Sequence, residues 1–193
     1  MMENNTFTAI DPGKSKIGAA NFRDGQLESA FLLKIEDGPS DPGERWAHVA
    51  HTLYTYDNII YEMMQVDGRT EGAKISAIMD LCGVIGAICG RTVKQSGHSE
   101  IAGYTPSTWN KNRGKGGNQA KILRALKPEE ADRLLDATIK SDRDPSCSLF
   151  DRSRPKITTY DQLYERAFAE AVGQAEHTID AVGIGLYHLG RLR

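Results

Sequence analysis

Hydrophobic positions fall first into three short β-prone runs, Thr6 to Ile10, Ile17 to Phe22 and Leu27 to Ile35. Asp11-Pro12-Gly13 breaks the first from the second, and Asp24-Gly25 is a hairpin dipeptide between the second and third. A loop rich in Gly, Pro and Asp follows, from Glu36 to Gly43. The spacing then turns helical: Trp46, Val49, Ala50 and Leu53 form one stripe over Glu44 to Tyr56. Asn58 to Met63 reads as a buried strand with a carboxylate, Glu62, near its end. Ile75, Ile78, Met79, Cys82, Ile85 and Cys89 recur at steps of three and four, which predicts a long helix.

The second half is less regular. Ile101 to Tyr104 predicts a fifth strand and Gln119 to Leu126 a short helix. Residues 128–158 are polar and broken at Asp142 to Pro145, which predicts an inserted helix plus loop. From Tyr160 onward the chain reads as mostly helical, with Ala175, Ile179, Val182, Leu186 and Leu189 on one stripe. A β-β-β-α-β-α-β-α order predicts an α/β domain around a mixed five-stranded sheet. The antiparallel meander comes first, parallel strands follow, and helices cover both faces. A single domain over residues 1–193 is expected, with the insertion at about 128–158.

Composition adds bounds. With 193 residues and 39% hydrophobic content the chain can bury a core without disulfides or metal. The three cysteines, Cys82, Cys89 and Cys147, follow no metal-binding spacing, so free thiols in a reducing compartment are expected. No apolar run approaches membrane-spanning length, and the start lacks a signal-peptide layout; no membrane partner is expected. The charge, 24 Lys+Arg against 26 Asp+Glu, argues at face value against nucleic acid. Its distribution reverses that: Ile101 to Pro128 holds Lys111, Arg113, Lys115, Lys121, Arg124 and Lys127 and no acid. Glycines at 114, 116 and 117 let backbone N–H groups approach phosphates, and Tyr104 and Trp109 offer stacking surfaces. DNA contact through Lys111, Arg113, Lys115 and Lys121 is therefore expected.

Four further residues suggest chemistry. Asp11 ends the first strand, Glu62 ends the fourth, and His177 and Asp180 share one face of the last helix. Each alone has a plain structural explanation, such as a turn-forming Asp before Pro-Gly. Together, on these elements, they make candidate ligands for Mg²⁺ or Mn²⁺. Two such ions can activate water and stabilise the leaving oxygen of a phosphodiester. Gly13-Lys14-Ser15 imitates a phosphate-binding loop, but Thr8 stands where its first glycine should be and a strand follows, so it is rejected. His48 and His51 lack a third ligand and read as a solvated helix face.

The sequence resembles the RuvC-type Holliday-junction resolvases of the RNase H-like nuclease superfamily. The matching stretches are Ala9-Ile10-Asp11-Pro12-Gly13 with Ile17-Gly18, and Ile59-Ile60-Tyr61-Glu62. Tyr104-Thr105-Pro106, the run Gly114 to Lys121, and His177-Thr178-Ile179-Asp180-Ala181 complete them. The resemblance implies an RNase H-like fold and a cytoplasmic homodimer, from a bacterial cell or a phage-infected host, that binds a four-way DNA junction. It implies symmetric nicking with two Mg²⁺ or Mn²⁺ ions, with Asp11, Glu62, His177 and Asp180 as catalytic and metal-binding residues. Lys111, Lys115 and Lys121 match its DNA-contacting basic segment. This chain departs from it at Gln65, where members often carry an aromatic, and in the long 128–158 segment, which suggests a phage or otherwise divergent member.

The alternatives are a general RNase H-like nuclease on flaps, forks or RNA–DNA hybrids, and a non-catalytic DNA-binding module. An ATPase fragment of the actin or sugar-kinase kind needs a second such domain, for which 193 residues leave no room. Gly83, Gly86 and Gly90 beside the long helix's stripe fit either close packing against a second copy or packing within the domain.

Overall fold

Asp24 and Gly25 both have positive φ, 50° and 75°, the backbone a two-residue hairpin with right-handed strand twist demands. They join β2 (Lys16–Arg23) to β3 (Gln26–Lys34), and β2 also pairs antiparallel with β1 (Phe7–Pro12). β4 (Ile59–Glu62) lies parallel to β1, and β5 (Ile101–Tyr104) lies parallel to β4. The sheet order is β3-β2-β1-β4-β5. This is the mixed five-stranded sheet the sequence predicts. The structure is a computed structural model and describes residues 6–13, 15–35, 41–53, 56–63, 72–96, 100–110, 115–142, 157–169 and 175–192.

Strand side chains alternate between faces, and the two faces have separate cores. Ile10, Ile17, Ala19 and Ile59 face α1 (Pro42–Thr52) and α2 (Gly72–Ser96), packing with Val49, Leu53, Val84 and Ile88. Phe7, Ala9, Ala20, Phe22 and Ile60 point the other way. They meet α4 (Lys115–Ala125), α5 (Pro128–Asp142), α6 (Tyr160–Phe168) and above all α7 (Ala175–His188). A short turn of helix, α3 (Pro106–Trp109), follows β5. Among the described residues no helix is long and apolar enough to cross a membrane.

Several boundaries differ from the sequence reading for local reasons. α1 begins at Pro42, because Asp41 caps it by accepting from the Glu44 N–H at 3.0 Å and Pro fits the first helical turn. α4 begins at Lys115, so Gly116 and Gly117 belong to its first turn and not to an extended glycine loop. The last helical stretch divides in two: Thr159 and Gln162 form a capping box at the start of α6, and α7 starts at Ala175. Of the polar span 128–158, residues 128–142 form α5, whose Ala131, Leu134, Ala137 and Thr138 are buried. Residues 143–156 lie outside the described residues, as do Gln65 and Cys147.

α7 sits close against the sheet, and glycine is the reason. A Cβ on Gly18 would overlap the backbone carbonyl of His177, and one on Gly185 would overlap the ring of Phe22. Gly18 is also the register partner of Asp11. Gly18→Ala is therefore expected to cost about 1–3 kcal/mol by overpacking. It should also push the start of α7 away from β1; the denaturant midpoint and the amide shifts of His177 to Asp180 check this. On α2, Gly83 accommodates the ring of Trp46 on α1, which gives it a packing role within the domain. Gly86 and Gly90 face open space among the described residues.

Candidate active site

β1 and β4 are neighbours and run the same way, so their C-terminal ends lie side by side. Their register pairs Ile10 with Tyr61, and Asp11 and Glu62 come one residue later on each strand. Period two puts Asp11 on the face of Ala9 and Glu62 on the face of Ile60, the face covered by α7. The first turn of α7, brought close by Gly18, supplies His177, and Asp180 follows three residues on. All four line one cleft of about 340 Å³, together with Asn118 and Glu176. Residues far apart in sequence thus meet where strand ends and a helix start converge.

The contacts within the cleft are specific. His177 Nδ1 donates to Asp11 Oδ2 at 2.6 Å, which in the neutral ring leaves the lone pair on Nε2. Gly13 makes room for this imidazole, since a Cβ there would come within 2.8 Å of His177 Cε1. The Trp109 indole N–H donates to Glu62 Oε2 at 2.8 Å. Gln119 Nε2 stands 3.5 Å from Asp180 Oδ1, a longer contact.

Burial first, and then the neighbouring Asp11 charge, push the Glu62 carboxyl up to about 7, against the pull of Trp109 and His177. An unfolded Glu ionises near 4.5, so between these values Glu62 is protonated more in the folded metal-free protein than in the unfolded chain. The contribution of Glu62 to stability is therefore expected to fall as pH rises from 4.5 through 7. It is read as the difference between wild type and Glu62→Gln, since half-buried His188, shifted down, contributes the opposite slope. Thermal melts of both proteins across that range check this. Glu62→Gln should lack the fall, and Mg²⁺ should restore stability above about pH 7, because a cation binds the ionised carboxylate.

The donor set fits a hard divalent cation in kind: carboxylates from three elements with one imidazole. Among the described residues no three His, Cys, Asp or Glu side chains are placed as a ready-made metal-binding group. Mg²⁺ does not require one, since it keeps several waters and is held by one or two carboxylates. A buried carboxylate held up by a second negative group is the electrostatic situation that a cation relieves.

The basic segment is less fully placed. Lys111 and Arg113 lie outside the described residues, as does the side chain of Lys115. Lys121 is half-buried on α4 and is not among the residues lining the cleft. Neither aromatic is a stacking surface. Trp109 is buried, and Tyr104 is half-buried, its ring edge-on to Tyr187 and its hydroxyl on His188 Nδ1 at 2.9 Å. Sequence reasoning missed Asn118 and Glu176, and it read Trp109 as a DNA-stacking surface and not as the partner of Glu62. Glu176 had a legible signal, because it lies four residues before Asp180 and so shares its helix face.

No family model matches the chain, and no curated protein matches it. The solved structures it is similar to include two of RuvC. Thermus thermophilus RuvC in complex with a Holliday junction substrate is 15% identical over 96% of this chain and 97% of that chain, with a TM-score of 0.44. A second Thermus thermophilus RuvC structure is 16% identical over the same shares, with a TM-score of 0.36. The architecture itself rests on the observed strand order and pairing: an α/β domain on a mixed five-stranded sheet with helices on both faces.

Proposed function

We propose that this protein is a divalent-metal-dependent endonuclease that resolves four-way DNA junctions by paired phosphodiester hydrolysis. In this reading it works as a homodimer in the cytoplasm of a bacterial or phage-infected cell. The observation that carries the proposal is the convergence of Asp11, Glu62, His177 and Asp180 on one cleft, from two adjacent strand ends and one helix. The order of motifs along the chain supports the junction as substrate, and the acid-free segment Ile101 to Pro128 supports DNA as partner.

Asp11, Glu62 and Asp180 would hold Mg²⁺ or Mn²⁺, with His177 as a further ligand or as an aid to water activation. A bound cation there would supply charge stabilisation at the phosphate and lower the pKa of a water. Asp11 orients the His177 ring through Nδ1, which directs Nε2 as the proton-accepting nitrogen. Lys111, Arg113, Lys115 and Lys121 would hold the DNA backbone, steepening the salt dependence of binding by roughly 0.9 in log–log slope per phosphate neutralised.

The test is cleavage of labelled four-way, three-way, flap, linear and RNA–DNA hybrid substrates with Mg²⁺ or Mn²⁺. Symmetric nicks confined to the four-way substrate are expected. Equal cutting of flaps, forks or hybrids would make the chain a general RNase H-like nuclease. Metal-independent binding without cleavage would make it a DNA-binding module.

A further inference from the structure

Trp109 is fixed in place before any ligand arrives. It ends α3, is only 4% exposed, and its ring packs against α7, where a Cβ on Gly183 would come within 3.0 Å of it. Indole has one donor and no acceptor, and its donor goes to Glu62 Oε2 at 2.8 Å. The other tryptophan, Trp46, shows that this pairing is not automatic here: its Nε1 is buried and has no hydrogen-bond partner among the described residues. The terminal torsion of a Glu side chain is broad and does not by itself fix the two oxygens. Tethering one oxygen to a rigid, buried indole removes that freedom and presets the other.

We propose that Trp109 is a positioning residue for Glu62, its indole N–H holding one carboxylate oxygen so that the other is preset as a ligand for a divalent cation. The inference rests on the reading of the cleft as a metal-dependent site. Groups that orient metal ligands in this way are worth about 10–100-fold in metal affinity or activity when removed. The role also explains why an aromatic in a basic segment is turned inward: Trp109 contributes to the carboxylate and not to the DNA.

Mg²⁺ binding to the full chain by calorimetry, junction cleavage and the indole N–H resonance together test this. Trp109→Phe keeps an aromatic ring and loses the donor. It is expected to weaken Mg²⁺ binding by about 10–100-fold and to lower kcat at limiting Mg²⁺, with the junction KM unchanged and kcat recovering as Mg²⁺ is raised. A folded Trp109→Phe protein that binds Mg²⁺ within about twofold of the wild type overturns the proposal. The resonance needs no substitution at Trp109: assigned with Trp46→Phe, it should move when Mg²⁺ is added and in Glu62→Gln, and indifference to both overturns the proposal. Wild-type protein that neither binds Mg²⁺ nor cuts DNA overturns the reading of the cleft and this inference with it. Wild-type protein that does both, matched by Trp109→Phe, overturns this inference alone.

Discussion

Asp11→Asn and Glu62→Gln are each expected to reduce Mg²⁺-dependent junction cleavage by roughly a thousandfold or more, while junction binding without metal stays within about twofold. Both substitutions are nearly isosteric, so the packing around β1 and β4 survives. The amide introduced at position 11 would still accept from His177 Nδ1, and the one at position 62 would still present an oxygen to the Trp109 indole, at the contacts now 2.6 and 2.8 Å long. What is lost is charge. Neutralising one carboxylate removes a proposed cation ligand from a cleft whose remaining groups include an imidazole, and on that proposal several kcal/mol of charge stabilisation go with it. Binding is expected to survive because neither substitution alters the basic residues proposed to hold DNA. Single-turnover cleavage beside gel-shift titration checks both halves. Undiminished cleavage by either variant would remove that residue from the site.

Arg191→Met is expected to destabilise the fold by about 3–5 kcal/mol, because it strands a buried carboxylate. Glu130 on α5 has a side chain only 1% exposed. It accepts from the Leu27 N–H at 2.8 Å, the Lys127 N–H at 2.8 Å and two Arg191 nitrogens at 2.8 and 2.6 Å. Arg191 reaches it because Gly190, at φ 69°, ends α7 in a Schellman turn, with the Arg191 N–H on the Leu186 carbonyl at 2.9 Å. The same guanidinium also donates to the carbonyls of Gly25 and Ala125, at 3.1 and 3.0 Å. One side chain thus joins the end of α7, the β2–β3 hairpin, α4 and α5.

Burial alone would raise the Glu130 carboxyl, but Arg191 and the two backbone N–H groups outweigh it and hold the group down to about 2. With an unfolded value near 4.5, the pair's contribution is complete above that pH and is lost as pH falls toward 2. Urea unfolding of the wild type should show that acid slope, and Glu130→Gln should lack it. The double variant Glu130→Gln, Arg191→Met should recover part of the loss, since it leaves no charge stranded.

The strand half of the fold was legible because hairpin chemistry is local. Asp24-Gly25 admits few backbone conformations, and an apolar strand ending in Glu62 must place that charge at the sheet's end. Asp11, Glu62, His177 and Asp180 follow from such local rules plus strand order. Trp109 does not. Its environment is made by Gly183 on α7 and by the carboxylate of β4, and no window around residue 109 contains either. The helix of residues 128–142 was expected, but the polar composition of residues 128–158 hid its buried stripe, Ala131, Leu134, Ala137 and Thr138. Glu130 belongs to that buried side and is polar only because Arg191 waits for it sixty-one residues later.

Asp11 and His177, joined by a hydrogen bond, stand 166 residues apart in the chain. On a ribosome the first of the pair emerges long before the second, and Glu62 and Trp109 wait with it. Until α7 has left the exit tunnel, the carboxylates have no imidazole beside them and that apolar side of the sheet lacks the helix that packs most closely on it. A half-made chain therefore holds no assembled centre. Acquiring the cleft and completing the core on that side of the sheet become the same late event.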